Sequence, residues 1–301
     1  MSARARGVLG LVVSVVLVGL LLRFVRPAEV LSALRGADVA LLVAAVLVHG
    51  LMLLLRVQRF AGLIGEPGWA SRAAFDSVFV GWLFNLTLPA KAGELARPLT
   101  YRAWSGSGLP AVVAAMVVER GLDLLVLGVL FVGALLLGLP PALPAWVATA
   151  AWVGVALGAV VLVGVGVLRR SSLGGVGVLS MAMSTSSLIW ALEVVGVWLT
   201  LLALGVSVDG AWAASAVLVV ASTLAVAAPA APGGLGVEQW VTVLVLAAWG
   251  ASEADAVAAS LLVLFEAVVW IAPVGLLVLG RRSLRLGSLP DPQVDESSLA
   301  E

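Results

Sequence analysis

Leu88-Pro89-Ala90-Lys91-Ala92-Gly93-Glu94-Leu95-Ala96-Arg97 is the stretch on which the fold turns. It interrupts the apolar segment 72–105 with prolines, a glycine and alternating charges, the interruption continuing to Pro98. At membrane depth, non-helical backbone survives only where protein or a water-filled cavity satisfies it. The break therefore predicts a re-entrant hairpin beside a polar cavity. A second broken stretch follows in segment 211–250, at Pro229, Pro232, Gly233, Gly234, Gly236 and Glu238.

The rest of the chain supplies the membrane setting. Of its 301 residues, 62% are hydrophobic and 11% charged, against ~45–50% apolar and ~25% charged in soluble domains. Lipid must be the solvent for much of that apolar surface. Formal net charge is zero, so nucleic acid is not an expected partner. The lack of cysteine excludes disulfides, thiol catalysis and Cys-ligated metals. One histidine, His49, cannot form a zinc site and reads as a packed imidazole. No cofactor or metal is expected.

A spanning helix needs ~20 mostly apolar residues. Segments 7–25, 39–58, 110–139, 145–168, 180–204 and 254–280 meet that need. The first could imitate a secretory signal, but Arg23 and Arg26 follow it without a cleavage site. With the N-terminus in the cytoplasm, 11 Arg fall inside, Arg56 and Arg59 among them, and Arg23, Arg26 and Arg35 outside. Both broken segments must then return to the side they enter from. Residues 1–139 and 140–281 each read helix, helix, hairpin, helix, with opposite orientation, an inverted-topology repeat. The expected fold is an all-α polytopic membrane protein with six spanning helices and two re-entrant helical hairpins. It forms a single transmembrane domain, 1–282, followed by a polar cytoplasmic tail, 283–301. Both termini are expected in the cytoplasm of a cell with this protein in its plasma membrane.

The two halves also share a skeleton. Pro89 precedes Gly93 by four residues, as Pro232 precedes Gly236. Thirty residues beyond those glycines stand Asp123 and Glu266. Ionisable residues expected at membrane depth are Asp76, Glu94, Glu119, Asp123, Glu193, Glu238, Glu266, Lys91, Arg97 and Arg120. Each costs at least ~2.5–3.5 kcal/mol at the bilayer centre unless partnered, hydrated or functional. Lys91, Glu94 and Arg97, spaced by three, share one broad helix face. Glu119 and Asp123 share another, with Arg120 three residues from Asp123. Lys91, Arg97 and Arg120 are expected to hold a phosphate, Arg bidentately, aided by the helix N-termini after each tip. Structural salt bridges are the competing reading; for Glu193 and Asp76 they are the preferred one. Gly233-Gly234-Leu235-Gly236 lacks a following Walker Lys-Ser/Thr, so an ATPase is not expected. Gly154 and Gly158 read as a helix-packing GxxxG.

At these residues the chain resembles a known family. Leu88 to Arg97 is similar to its proline–basic–Gly-Glu–Arg motif, Val118-Glu119-Arg120 with Asp123 to its Glu-Arg…Asp helix, and Pro232-Gly233-Gly234-Leu235-Gly236-Val237-Glu238 to its Pro-Gly-Gly-x-Gly…Glu motif. This is the lysylphosphatidylglycerol synthase transmembrane-domain, flippase-like family, in a standalone form without the aminoacyltransferase domain. The resemblance covers nearly the whole chain and implies passage of a charged lipid headgroup between leaflets. Glu266 departs from it, standing where relatives often carry a base. The expected function is non-enzymatic translocation of a charged or phosphate-bearing lipid. A secondary transporter of a small solute or ion is the alternative. Membrane lipids, phospholipid or polyprenyl-phosphate-linked, are the expected partners, and self-association into a homo-oligomer is left open. The expected substrate-binding set is Lys91, Glu94, Arg97, Glu119, Arg120, Asp123, Gly233, Gly234, Gly236, Glu238 and Glu266.

Overall fold

The computed structural model describes residues 26–88, 91–106, 108–136, 176–206, 210–225 and 232–286, with Gly19 and isolated positions between 149 and 159. Among them every regular element is helical: α1 (Pro27–Arg35), α2 (Val39–Leu63), α3 (Arg72–Thr87), α4 (Ala92–Ser105), α5 (Leu109–Leu136), α6 (Val176–Ala203), α7 (Ala211–Ala225), α8 (Val237–Ala247) and α9 (Glu253–Leu286), with 3-10 turns at Gly68–Ala70 and Pro232–Gly234. Three of these, within α2, α6 and α9, are long and apolar enough to cross a membrane. At 28 residues α5 has the length as well, but it carries Glu119, Arg120 and Asp123. The expected spans at 7–25 and 145–168, and the Gly154/Gly158 pair, lie outside the described residues.

Local chemistry sets the ends. Asp38 caps α2, its Oδ1 accepting from the Ala40 and Leu41 amides at 2.8 and 3.1 Å. Ser71 caps α3 in the same way, through the Ala74 amide at 3.2 Å. α1 lies between the expected spans 7–25 and 39–58. Pro27 at its first position and Glu29 in its first turn are the signals for a helix start there.

Both broken segments form helix–break–helix units, with some of the expected breakers misplaced. In the first, α3 ends at Thr87 and α4 starts at Ala92. Gly93, Glu94 and Pro98 lie within α4 rather than in the break. Pro98 sits in its second turn, where the cost is one backbone hydrogen bond, to the Glu94 carbonyl. Lys91 is the cap, not a member of the helix face proposed for it with Glu94 and Arg97; its φ of 52° is left-handed. The arms touch at Gly93, where a Cβ would run into the Gly81 carbonyl, and the Gly93 amide donates to Asn85 Oδ1 at 2.9 Å. In the second unit, Gly233, Gly234 and Gly236 all take positive φ, and Glu238 belongs to the first turn of α8 rather than to the break. Pro229 lies outside the described residues. At the far end, α9 runs on to Leu286, so the first residues assigned to the polar tail are helical.

The helix contacts follow one plan used twice. Exchange α2 with α6, α3 with α7, α4 with α8 and α5 with α9, and every substantial packing between these eight helices maps onto another. α3 against α9 becomes α7 against α5; α2 against α6 maps onto itself. One apolar cluster, including Phe60, Val78, Tyr101 and Leu122, joins α2 to α5. Another, including Phe131, Leu201, Val217 and Leu246, joins α5 to α9. In lipid, close packing and polar contacts must hold helices together, because lipid tails are as apolar as leucine. Gly50 shows the packing: the Trp270 indole lies where its Cβ would be, and donates to the Val46 carbonyl at 2.8 Å.

Candidate functional site

The polar contacts gather where α2, α4, α5 and α6 meet. Arg59 is buried there, 1% exposed. It reaches Asp123 Oδ1 at 2.6 Å, the Ser186 hydroxyl at 2.7 Å and Glu119 Oε1 at 3.4 Å. The Trp190 indole donates to the same Asp123 oxygen at 2.9 Å. Arg97 pairs with Glu119 Oε2 at 2.8 Å and lies 3.8 Å over the Phe60 ring. Spacing put Glu119 and Asp123 on one face, and Arg59 is what that face holds. Arg56 and Arg59 were expected among the cytoplasmic flanking charges. Both project from α2, which runs five residues past the expected end at 58, and both meet acids of other helices.

Two adjoining cavities of about 280 and 310 Å³ lie beside this network. Lys91, Glu193 and Glu238 line both. Arg56, Arg120 and Trp190 line the first, with the Thr200, Ser222 and Thr223 hydroxyls. His49, Asn85, Gly233 and Gly234 line the second. The residues after each break, Lys91 and Gly233-Gly234, thus border the same space, and the 3-10 turn at Pro232–Gly234 packs against α3. α4 and α8 both begin at that space, each with a glutamate in its first turn. Non-helical backbone at depth needs such a polar cavity.

Charge at the cavities is only partly spent. Arg56 faces Glu193 at 3.5 Å and lies 4.9 Å over the Trp190 ring. Arg120 is half exposed, 3.6 Å from Asp123 and 3.8 Å from Glu94. Among the described residues Lys91 and Glu238 make no side-chain hydrogen bond or ion pair. The cavities therefore present Lys91 as an available cation, Arg120 as a half-exposed cation shared between Asp123 and Glu94, and Glu238 as an available acid.

The expected binding set divides accordingly. Lys91, Arg120, Gly233, Gly234 and Glu238 line the cavities. Arg97, Glu119 and Asp123 are buried beside them in the Arg59 network. Glu94 reaches the site through Arg120. Gly236 is buried, its amide donating to Gln239 Oε1 at 2.6 Å. Glu266 is buried and accepts from the Thr200 hydroxyl at 2.6 Å. Sequence reasoning missed Arg56, Trp190 and Asn85, and set Glu193 aside as structural. Asp76, read as structural, is 1% exposed and is gripped by Arg281 and Arg282 from the end of α9. A charge inside an apolar helix is a signal for Arg56 and Glu193. Nothing in the spacing says that α2 and α6 meet there.

Comparison with known proteins places this arrangement. The chain is similar to the protein named Glycosyltransferase AglD of Haloferax volcanii, at 28% identity over 87% of this chain and 52% of that relative. It therefore spans about half the length of the curated relative it matches. Residues 7–174 and 170–276 match the family described as lysylphosphatidylglycerol synthase TM region. With nearly all of its helical length inside those matches, the chain belongs to the lysylphosphatidylglycerol synthase TM region family.

Proposed function

We propose that this chain is a non-enzymatic lipid translocase of the plasma membrane, passing a phosphate-bearing headgroup between leaflets through the paired cavities. One observation carries the reading: two helix breaks meet at one polar space where Lys91 stands unpaired among the described residues and Arg120, held at 3.6 Å by Asp123 and 3.8 Å by Glu94, stays half exposed. A phosphate suits that pair, Arg120 offering a planar fork and Lys91 a point charge. Two cavities near 300 Å³ each suit a headgroup, while acyl chains stay in lipid. In this reading each helix–break–helix unit is a re-entrant hairpin. The exchange symmetry of the contacts supports a doubled fold, which in this reading is an inverted repeat of six spans and two hairpins, both termini cytoplasmic. Such folds bind cargo where broken helices meet near the midplane. The relative's name, a glycosyltransferase, is compatible with a lipid-linked sugar as cargo beside ordinary phospholipids.

The test is reconstitution. Purified protein in liposomes should move fluorescent phosphatidylglycerol or a polyprenyl-phosphate analogue faster than empty liposomes. Arg120→Ala should slow that movement about ten-fold, one ion contact of ~1.4 kcal/mol. Movement no faster than in empty liposomes for every lipid tried defeats the proposal. A solute transporter is favoured by one feature, the mixed sign of the lining. Stabilisation by a water-soluble zwitterion, with no response to lipid, would select it.

A further inference from the structure

The translocase reading gives Glu266 no task. It lies on α9, 2% exposed. The Thr200 hydroxyl donates to its Oε1 at 2.6 Å. Among the described residues no hydrogen bond reaches its Oε2 and no cation pairs with it. Glu266 borders a void of about 10 Å³, which is room for a single water. Glu193 of α6 and His49 of α2 border the same void. Glu193 also lines both large cavities and His49 lines one. The void is thus a stepping point between a buried acid and the cargo space.

Among the described residues, the surroundings offer no countercharge. From α6 the nearest charged group is Glu193, which repels a second negative charge. α2 presents His49, and Arg56 is taken by Glu193 at 3.5 Å. α8 presents Glu238. From α3 the partner of α9 is Asp76, held by Arg281 and Arg282 fifteen residues away, about 22 Å along the helix. α1 packs near Ala258, and its Glu29 and Arg26 pair with each other in solvent. A buried carboxylate without a cation costs several kcal/mol, which a bound proton removes.

We propose that Glu266 is a proton-binding site whose proton reaches the cavities through the void and Glu193. In the transfer, the carboxyl O–H bond of Glu266 breaks and a water in the void takes the proton. That water passes one of its own protons to the Glu193 carboxylate, and Glu266 is left as a carboxylate held by Thr200. Neutral Glu193 no longer holds Arg56, which turns to an anion in the cavity. Protonation is thereby linked to headgroup binding; that link rests on the translocase reading, while the proton site does not.

Infrared spectroscopy of the detergent-purified chain tests it without any lipid. Wild type should show a protonated carboxyl C=O band at neutral pH that shifts in D₂O. Glu266→Gln should remove the band; Gln keeps the volume and still accepts from Thr200. Glu193→Gln should keep it but slow its exchange at least about ten-fold, the loss of a proton acceptor in a buried relay. Thr200→Val, which only removes the donor, should move the band in frequency and guards against a Glu266→Gln variant that fails to fold. A band undiminished in Glu266→Gln, or unmoved in Thr200→Val, overturns the site, and unchanged exchange in Glu193→Gln overturns the route. A chain that shows the band but moves no lipid loses the translocase reading and keeps the proton site.

Discussion

In the first half of the molecule, Asp123 of α5 receives Arg59 of α2 and the Trp190 indole. In the second half, Glu266 of α9, at the matching position thirty residues past its glycine, receives only the Thr200 hydroxyl among the described residues. The helices that supply these partners, α2 and α6, exchange under the same operation that exchanges α5 and α9. The frame is thus doubled, but its polar filling is not. The same holds for the outer contacts. α3 is tied to α9 by Asp76 with Arg281 and Arg282, whereas the matching contact of α7 with α5 is apolar, bordered by Val129, Leu130 and Trp212. A symmetric frame brings two breaks to one cavity, and unequal filling lets one half lock while the other exchanges a proton or repacks.

The contrast can be broken most forcefully at Arg59. Arg59→Ala leaves Glu119 and Asp123 buried without their main cation and should cost about 3–5 kcal/mol. Thermal unfolding in detergent, followed by loss of the monodisperse elution peak, measures it. A drop of under ~1 kcal/mol would mean the first half is no more locked than the second.

Asp76→Asn comes next. It keeps the volume but removes the charge that both Arg281 and Arg282 face, and half-exposed Arg281 discounts the effect. The expected loss is about 1–2 kcal/mol. Because the chain has no cysteine, a single Thr242→Cys in the first cavity can report opening of the α3–α9 contact through faster labelling by a membrane-impermeant thiol reagent.

Glu266→Gln sharpens the comparison from the other side. Stability should change by less than about 1 kcal/mol, since no ion pair is lost and the Thr200 bond survives. A loss as large as that of Arg59→Ala, in the same unfolding assay, would place a hidden countercharge at Glu266.

Lys91→Gly should be the smallest in stability and of the opposite sign. It removes a left-handed non-glycine residue, a strain of about 1 kcal/mol, and removes an unpaired cation. The variant should melt no lower than wild type yet translocate more slowly. Equal transport would retire Lys91 as a headgroup contact.

Much of this was legible in the residues. The breaks around Pro89 and Pro232 were visible because proline and clustered glycine cannot continue a helix, and the helices flanking them because each flank is apolar. The Glu119/Asp123 face was visible because spacing four is a helix face. The cavity cations Lys91 and Arg120 were marked by being charged where lipid tolerates none. The exact break was less legible: Pro98 sits early enough in α4 to be absorbed, and Lys91 pays for a conformation that propensity assigns to glycine. Arg56 and Arg59 were left out of the site for a different reason. A charge near a helix end reads as an interfacial anchor, and only a partner on another helix makes it an internal ligand.

What the sequence determined by itself is the solvent, the helical class, the two breaks and the doubled spacing, because each depends on local backbone chemistry or on average polarity. What only the tertiary structure decided is which charges are spent. Arg97 and Arg120 are the same chemistry in sequence terms, yet one is buried against Glu119 and Phe60 and the other opens to the cavity. Coulomb attraction and desolvation both depend on distance and burial, and α2, α5, α6 and α9 come within reach of one another only when the chain is packed.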